Sequence, residues 1–131
     1  MDRWEQLFAL QQHLAAMYET VRPNGFYAQE PITRCTTWTR ALIHEACELD
    51  NELNWKPWKN GQDLAENRSR RLDETADLLH FLLQLALDQG FTAEELFTAY
   101  ERKHAENQRR QQEDPLYHAP YLSDKGSGAG N

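Results

Sequence analysis

The sequence predicts an all-α fold, a helical bundle of four main helices. Apolar residues recur at helical intervals in four segments, strand-like alternation is absent, and proline and glycine fall between the segments. At 131 residues the chain is long enough to bury one real core. Residues 1–114 are expected to form that domain, and 115–131 to follow it as a tail.

In the first segment, Trp4, Leu7, Phe8, Leu14, Met17 and Tyr18 recur at helical spacing with no break before Pro23, which predicts a helix over 2–20. VRPNGFYAQEPITRC then carries Pro23, an Asn24-Gly25 turn signal and Pro31, and reads as a long loop whose Phe26 and Tyr27 pack onto the fold. Thr36 or Thr37 is a plausible N-cap for a second helix that runs through Trp38, Leu42 and Leu49 to Leu53 or Trp55, where Pro57 and Asn60-Gly61 stop it. The third helix is predicted over 68–88. Its LLHFLLQLAL is apolar on nearly every face, so burial on two sides is expected, the second against another subunit, and Gly90 closes the helix. Thr92 with Glu95 forms a capping box for a fourth helix running into ERKHAENQRRQQE. Pro115, Pro120 and GSGAGN mark the tail, and Tyr117 and Tyr121 are expected to anchor it over the site or a partner subunit.

The net charge of −7 opposes binding to a polyanion, so no nucleic-acid partner is expected. MDRWEQLF lacks a basic region followed by an apolar one, and no window has the apolar length of a membrane span, so the chain is expected in the cytoplasm with no membrane partner. Cys35 and Cys47 have no metal or redox spacing and are read as reduced thiols, Cys47 as a small packed residue.

The chemistry lies in the acids. On the second helix Glu45, Glu48 and Glu52 fall within roughly 60° of one another, in the sector of Trp38, Leu42 and Leu49. On the third, Glu74 and Asp77 lie about 60° apart on the side of Leu78, Phe81 and Leu85. One acidic pair alone reads as a solvated face. Two pairs that both share an apolar sector need protonation, basic partners or a divalent cation, and Mg²⁺ suits oxygen ligands used together with substrate phosphates. A di-iron site would need two Glu-x-x-His motifs, and only Glu101 to His104 fits.

On the fourth helix Lys103, Asn107 and Arg110 extend the stripe of Leu96, Phe97 and Tyr100, and such a row can hold phosphate; the plainer account is cations favouring the helix dipole. Trp55, Trp58, Lys56 and Lys59 offer base stacking and phosphate contacts, or simple packing at a helix end. His44 and His80 read as packed or hydrogen-bonded histidines.

Together, Glu45-x-x-Glu48, Glu74-x-x-Asp77 and Lys103-x-x-x-Asn107-x-x-Arg110 resemble the signature of the all-α NTP pyrophosphatase superfamily of MazG-like enzymes and dimeric dUTPases. NWKPWK, DETADLLHFLLQLALDQGF and KHAENQRRQ look most like the dimeric dUTPase branch, and the likeness covers residues 1–112. The resemblance implies hydrolysis of a nucleoside triphosphate to the monophosphate and pyrophosphate. It implies Mg²⁺, with Mn²⁺ as its substitute, at Glu45, Glu48, Glu74 and Asp77. Glu48 or Glu45 would accept the proton of the attacking water, while Lys103, Asn107, Arg110 and Lys59 bind phosphate. It also implies a homodimer or a dimer of dimers.

For the base pocket the expectation is Gln11, Trp55 and Trp58, with Phe26 and Tyr27 nearby. The family's uracil-reading glutamine has Gln11 or Gln12 as counterpart, but LQQHLAAMYET lacks the accompanying asparagine. The leading substrate is dUTP, with dCTP or purine deoxynucleotides as alternatives. In a further alternative the chain is a non-catalytic interaction module, its acids paired with Arg68, Arg70 and Arg71.

Overall fold

The structure, a computed structural model, describes residues 1–116. The expected tail contacts of Tyr117 and Tyr121 lie outside the described residues. The fold is all-α: among the described residues there are four helices and no strand. Residues Met1–Ala93 form one compact unit, and the described residues from Glu94 onward belong to a second.

Helix α1 (Arg3–Val21) starts on a capping box. The Asp2 carboxylate accepts from the Glu5 amide at 2.8 Å, and Glu5 accepts from the Asp2 amide at 2.9 Å, satisfying two of the amides that a helix N-terminus leaves without partners. Trp4 stacks edge-on against the buried Phe8 and donates its indole N–H to the Ala93 carbonyl at 2.8 Å.

The expected long loop is shorter than its composition implies. Gly25–Ala28 form a 3-10 turn, and helix α2 (Pro31–Glu52) begins about five residues before the predicted caps Thr36 and Thr37, which lie inside it. Proline suits the first helical position, since its φ is already helical and its missing N–H has no partner to lose there. The early start matters because it places Arg34 in the helix. The 3-10 turn is held by aromatic contacts: Tyr27 stacks on Tyr18 at 5.7 Å between ring centres, and Phe26 meets Trp38 edge-on at 5.3 Å.

Helix α3 (Arg68–Asp88) has the predicted bounds. It ends in a Schellman motif: Phe91 donates to the Ala86 carbonyl and Gly90 to that of Leu87, with Gly90 at φ 82°, a backbone state that glycine adopts without strain. Helix α3 packs against both α1 and α2. The pairings Arg34 with Asp88, Trp38 with Phe81, and Glu52 with Arg70 run in opposite chain order, so α2 and α3 are antiparallel.

The connection between them is clamped. Asn67, 1% exposed, donates to the backbone and side-chain oxygens of Glu52 at 2.8 and 3.0 Å and accepts from Arg71 at 2.8 Å. Asn54 reaches across the same loop to bond Gln62 in both directions. A β-carbon at Gly61 would fall 2.5 Å from the Asn54 side chain, which explains the glycine.

One packing expectation is corrected. Cys47 is exposed, because it lies off the α2 stripe that meets α3. Helix α3 buries Leu83 and Ala86 but leaves Leu72 and Leu82 open at 59% and 43%, because within this unit α1 and α2 do not cover its whole circumference. Helix α4 (Ala93–Glu113) carries Glu94 and Glu95 in its first turn, favourable beside the positive helix end.

Candidate active site

Glu45 and Glu48 stand one turn apart on α2, and Glu74 and Asp77 one turn apart on α3. Packing α2 along α3 brings the pairs together. A carboxylate oxygen from each of Glu45, Glu48 and Glu74 lies within 4.8 Å of the others. Asp77 is outside that group of three, but its negative charge acts on both Glu45 and Glu74.

Among the described residues the cluster has no neutralising partner. Glu45 Oε2 and Glu74 Oε2 are buried with no hydrogen-bond donor among the described residues, and no basic side chain pairs with Glu45, Glu48 or Glu74 there. Burial, the approach of Glu48 and the charges of Asp77 and Glu74 push the Glu45 carboxyl up to about 7. Burial and the neighbouring Glu48 likewise raise Glu74. Acceptor oxygens left bare at mutually repelling carboxylates fit a hard divalent cation, which supplies the missing positive charge.

This arrangement has a measurable pH signature. A carboxyl raised from 4.5 to about 7 binds more protons folded than unfolded across that interval, so its contribution to the stability of the metal-free protein falls as pH rises from 4.5 through 7. Mg²⁺ is expected to raise the thermal midpoint by several degrees at pH 8, at roughly 4 °C per kcal/mol gained, and little at pH 5, where Glu45 keeps its proton. Equal shifts at the two pH values in a calorimetric scan would contradict a cation held by these carboxylates.

Beside the cluster opens a cavity of about 610 Å³, lined by Glu45 and Asp77 together with Gln11, Trp38, His80, Phe81 and Gln84 among others. It lies within the roughly 300–1,000 Å³ usual for small-ligand sites. Polar groups continue beneath it. Gln11 donates to Gln84 Oε1 at 2.9 Å, and Gln84 donates to Asp88 Oδ1 at 3.1 Å. Asp88 also receives both Nε and Nη2 of Arg34 at 3.0 Å and the Trp38 indole N–H at 2.6 Å. Arg34, 4% exposed, further contacts Glu19 at 3.3 Å and the Tyr27 carbonyl at 3.2 Å. The Asp88 hydrogen bond holds the guanidinium above its ordinary pKa against the opposing effect of burial.

A family model described as dUTPase matches residues 3–89. The chain belongs to the all-α dUTPase family. Both acidic pairs and all the cavity residues named above lie inside the matched range, which ends before α4. Neither the curated proteins nor the solved structures contain a match to the chain.

The structure distributes the expected site residues unevenly. It brings together Glu45, Glu48 and Glu74, with Asp77 and Gln11 on the cavity wall. Trp55 and Lys59 instead line a separate depression of about 420 Å³ on the α2–α3 connection, together with Asn51 and Gly61. Trp58 packs edge-on against Trp55 at 5.7 Å and is 70% exposed. On α4, in the second unit, Lys103 and Arg110 both bind Glu106, at 3.1 and 2.6 Å, and Asn107 lies between them in sequence.

Arg34, Gln84 and Asp88 are absent from the sequence expectation. Two of them carry a signal there: Gln84 interrupts the apolar run of α3, and Asp88 follows that run four residues later on the same face.

Proposed function

We propose that this chain is a Mg²⁺-dependent nucleoside triphosphate pyrophosphohydrolase acting on dUTP, yielding dUMP and pyrophosphate, with Mn²⁺ able to replace Mg²⁺. The observation that carries the reading is the convergence of Glu45, Glu48 and Glu74 beside a nucleoside-sized cavity containing Gln11. Family membership supports it.

In the proposed mechanism Glu45, Glu48, Glu74 and Asp77 hold the cation. When bound, the cation neutralises triphosphate charge and lowers the pKa of water. Glu48, the exposed member of the group of three, receives the proton of the water that attacks the α-phosphorus, and Glu45 is its alternative. Phe81 and Trp38, 6.0 Å apart between ring centres, offer aromatic surface to the base, and Gln11 offers amide hydrogen bonds. The phosphate-binding role implied for Lys59, Lys103, Asn107 and Arg110 remains part of the proposal, as does a base-side role for Trp55 and Trp58. A homodimer is proposed as well, as family membership suggests. No helix among the described residues is long and apolar enough to cross a membrane.

The interaction-module alternative finds one of its expected pairs, Arg70 with Glu52, but none at Glu45, Glu48 or Glu74 among the described residues. Arg70 takes Glu52, and Arg71 takes Asn67 and the Leu64 carbonyl, leaving the acid cluster unpaired.

The test is a panel of dUTP, dCTP and the standard deoxynucleoside triphosphates with Mg²⁺, with products identified chromatographically. Pyrophosphate and dUMP are the expected products. Turnover of dCTP or a purine nucleotide in preference to dUTP would reassign the substrate, and no turnover of any would end the enzymatic reading.

A further inference from the structure

The polar chain beneath the cavity has a direction. The oxygen and nitrogen of a glutamine amide are ordinarily assigned from their partners, and here a carboxylate dictates them. Asp88 receives four donors, two from Arg34 and one each from Trp38 and Gln84. Its oxygens act as acceptors throughout, so Gln84 must point its NH₂ at Asp88 and its carbonyl at Gln11. Gln11 must then donate its NH₂ to Gln84 at 2.9 Å, which leaves its carbonyl toward His80 Nδ1, also at 2.9 Å. That contact places the proton on His80 Nδ1. Gln11 and Gln84 are each 6% exposed and Asp88 7%, so water cannot readily repair a reversed amide.

We propose that Arg34, Asp88 and Gln84 are positioning residues that lock the amide polarity of Gln11, and that this lock selects uracil over cytosine. The inference rests on the reading of the cavity as the nucleoside site. After its internal contacts Gln11 retains one acceptor lone pair and one N–H for a base. Uracil presents the N3–H donor beside a carbonyl acceptor; cytosine presents, on the same edge, the N3 acceptor beside an amino donor. The two edges are related by exchanging donor and acceptor, and a half-turn of a primary amide makes that same exchange. An unrestrained glutamine can therefore serve both bases, whereas a locked one serves one and leaves the other with unpaired groups. The cation–carboxylate–amide chain turns a fixed charge at Arg34 into a fixed hydrogen-bond pattern at the cavity wall.

Gln84→Met in the full chain keeps side-chain length and removes both hydrogen-bonding ends. The ratio of kcat/KM for dUTP over dCTP is expected to fall about tenfold or more, with the change carried by KM rather than kcat. A ratio unchanged within about twofold, or an equal loss on both bases, overturns the proposal. Should Gln84→Met fail to fold, Gln84→Leu serves instead, because it too leaves Gln11 with no amide to orient it and keeps the Arg34–Asp88 pair; the same fall in ratio is expected.

A second measurement is independent of turnover. In ¹H–¹⁵N spectra of the nucleotide-free protein the Gln11 side-chain signals, assigned by their loss in Gln11→Leu, are expected to move in the unlocked variant. Unmoved signals overturn the lock. Moved signals with no wild-type turnover of dUTP or dCTP sink the functional reading and base selection with it, and leave the lock standing as structure.

Discussion

Glu48→Gln is expected to lower pyrophosphate release by about a thousandfold or more while leaving the fold intact. Glu48 is exposed and contributes one of the three clustered oxygens, so the amide occupies nearly the same space but no longer offers a full negative charge to a cation or a base to water. The same substitution relieves repulsion, because Glu48 is among the groups that push Glu45 up to about 7. The metal-free variant should therefore melt at or above the wild-type temperature at pH 8, and Mg²⁺ should shift it less. Lost activity with a lowered midpoint would point to misfolding, and retained activity would remove Glu48 from the mechanism.

Asp88→Ala carries the largest expected stability loss, about 3–5 kcal/mol, because it strands the buried Arg34 guanidinium and the Trp38 indole N–H together. Denaturant unfolding measures it directly. Most of the loss should return in the double variant Asp88→Ala with Arg34→Met, since a buried ion pair replaced by apolar groups is often nearly neutral whereas half of one is not. A single-variant loss below about 1 kcal/mol would mean that solvent or Glu19 accommodates the arginine, and that the pair is not a tertiary anchor.

The acids are legible in the sequence because helical periodicity is local. Two residues three apart share a face wherever the helix goes, so numbering alone gives the sectors of Glu45, Glu48, Glu74 and Asp77. Helix α3 is legible for a similar reason, its interior free of breakers and its end marked by Gly90. The start of α2 is not, because Pro31 looks like a breaker and suits a first helical position equally well. That ambiguity assigns Arg34 to a loop and hides the Arg34–Asp88 pair, whose members lie 54 residues apart. Glu52 shares the acidic sector yet serves as the acceptor of the Asn67 clamp, a role that depends on where the α2–α3 connection returns.

By itself the sequence determined the helices, the acidic pairs and the family likeness, all of which follow from spacing along one chain. Tertiary structure alone decided which carboxylates meet, that Gln11 rather than Trp55 lines the cavity beside them, and that an arginine, an aspartate and two glutamines form one directed chain. Those outcomes depend on the antiparallel register of α2 on α3. Register is settled by burial summed over the whole interface, and no single stretch of sequence carries that sum.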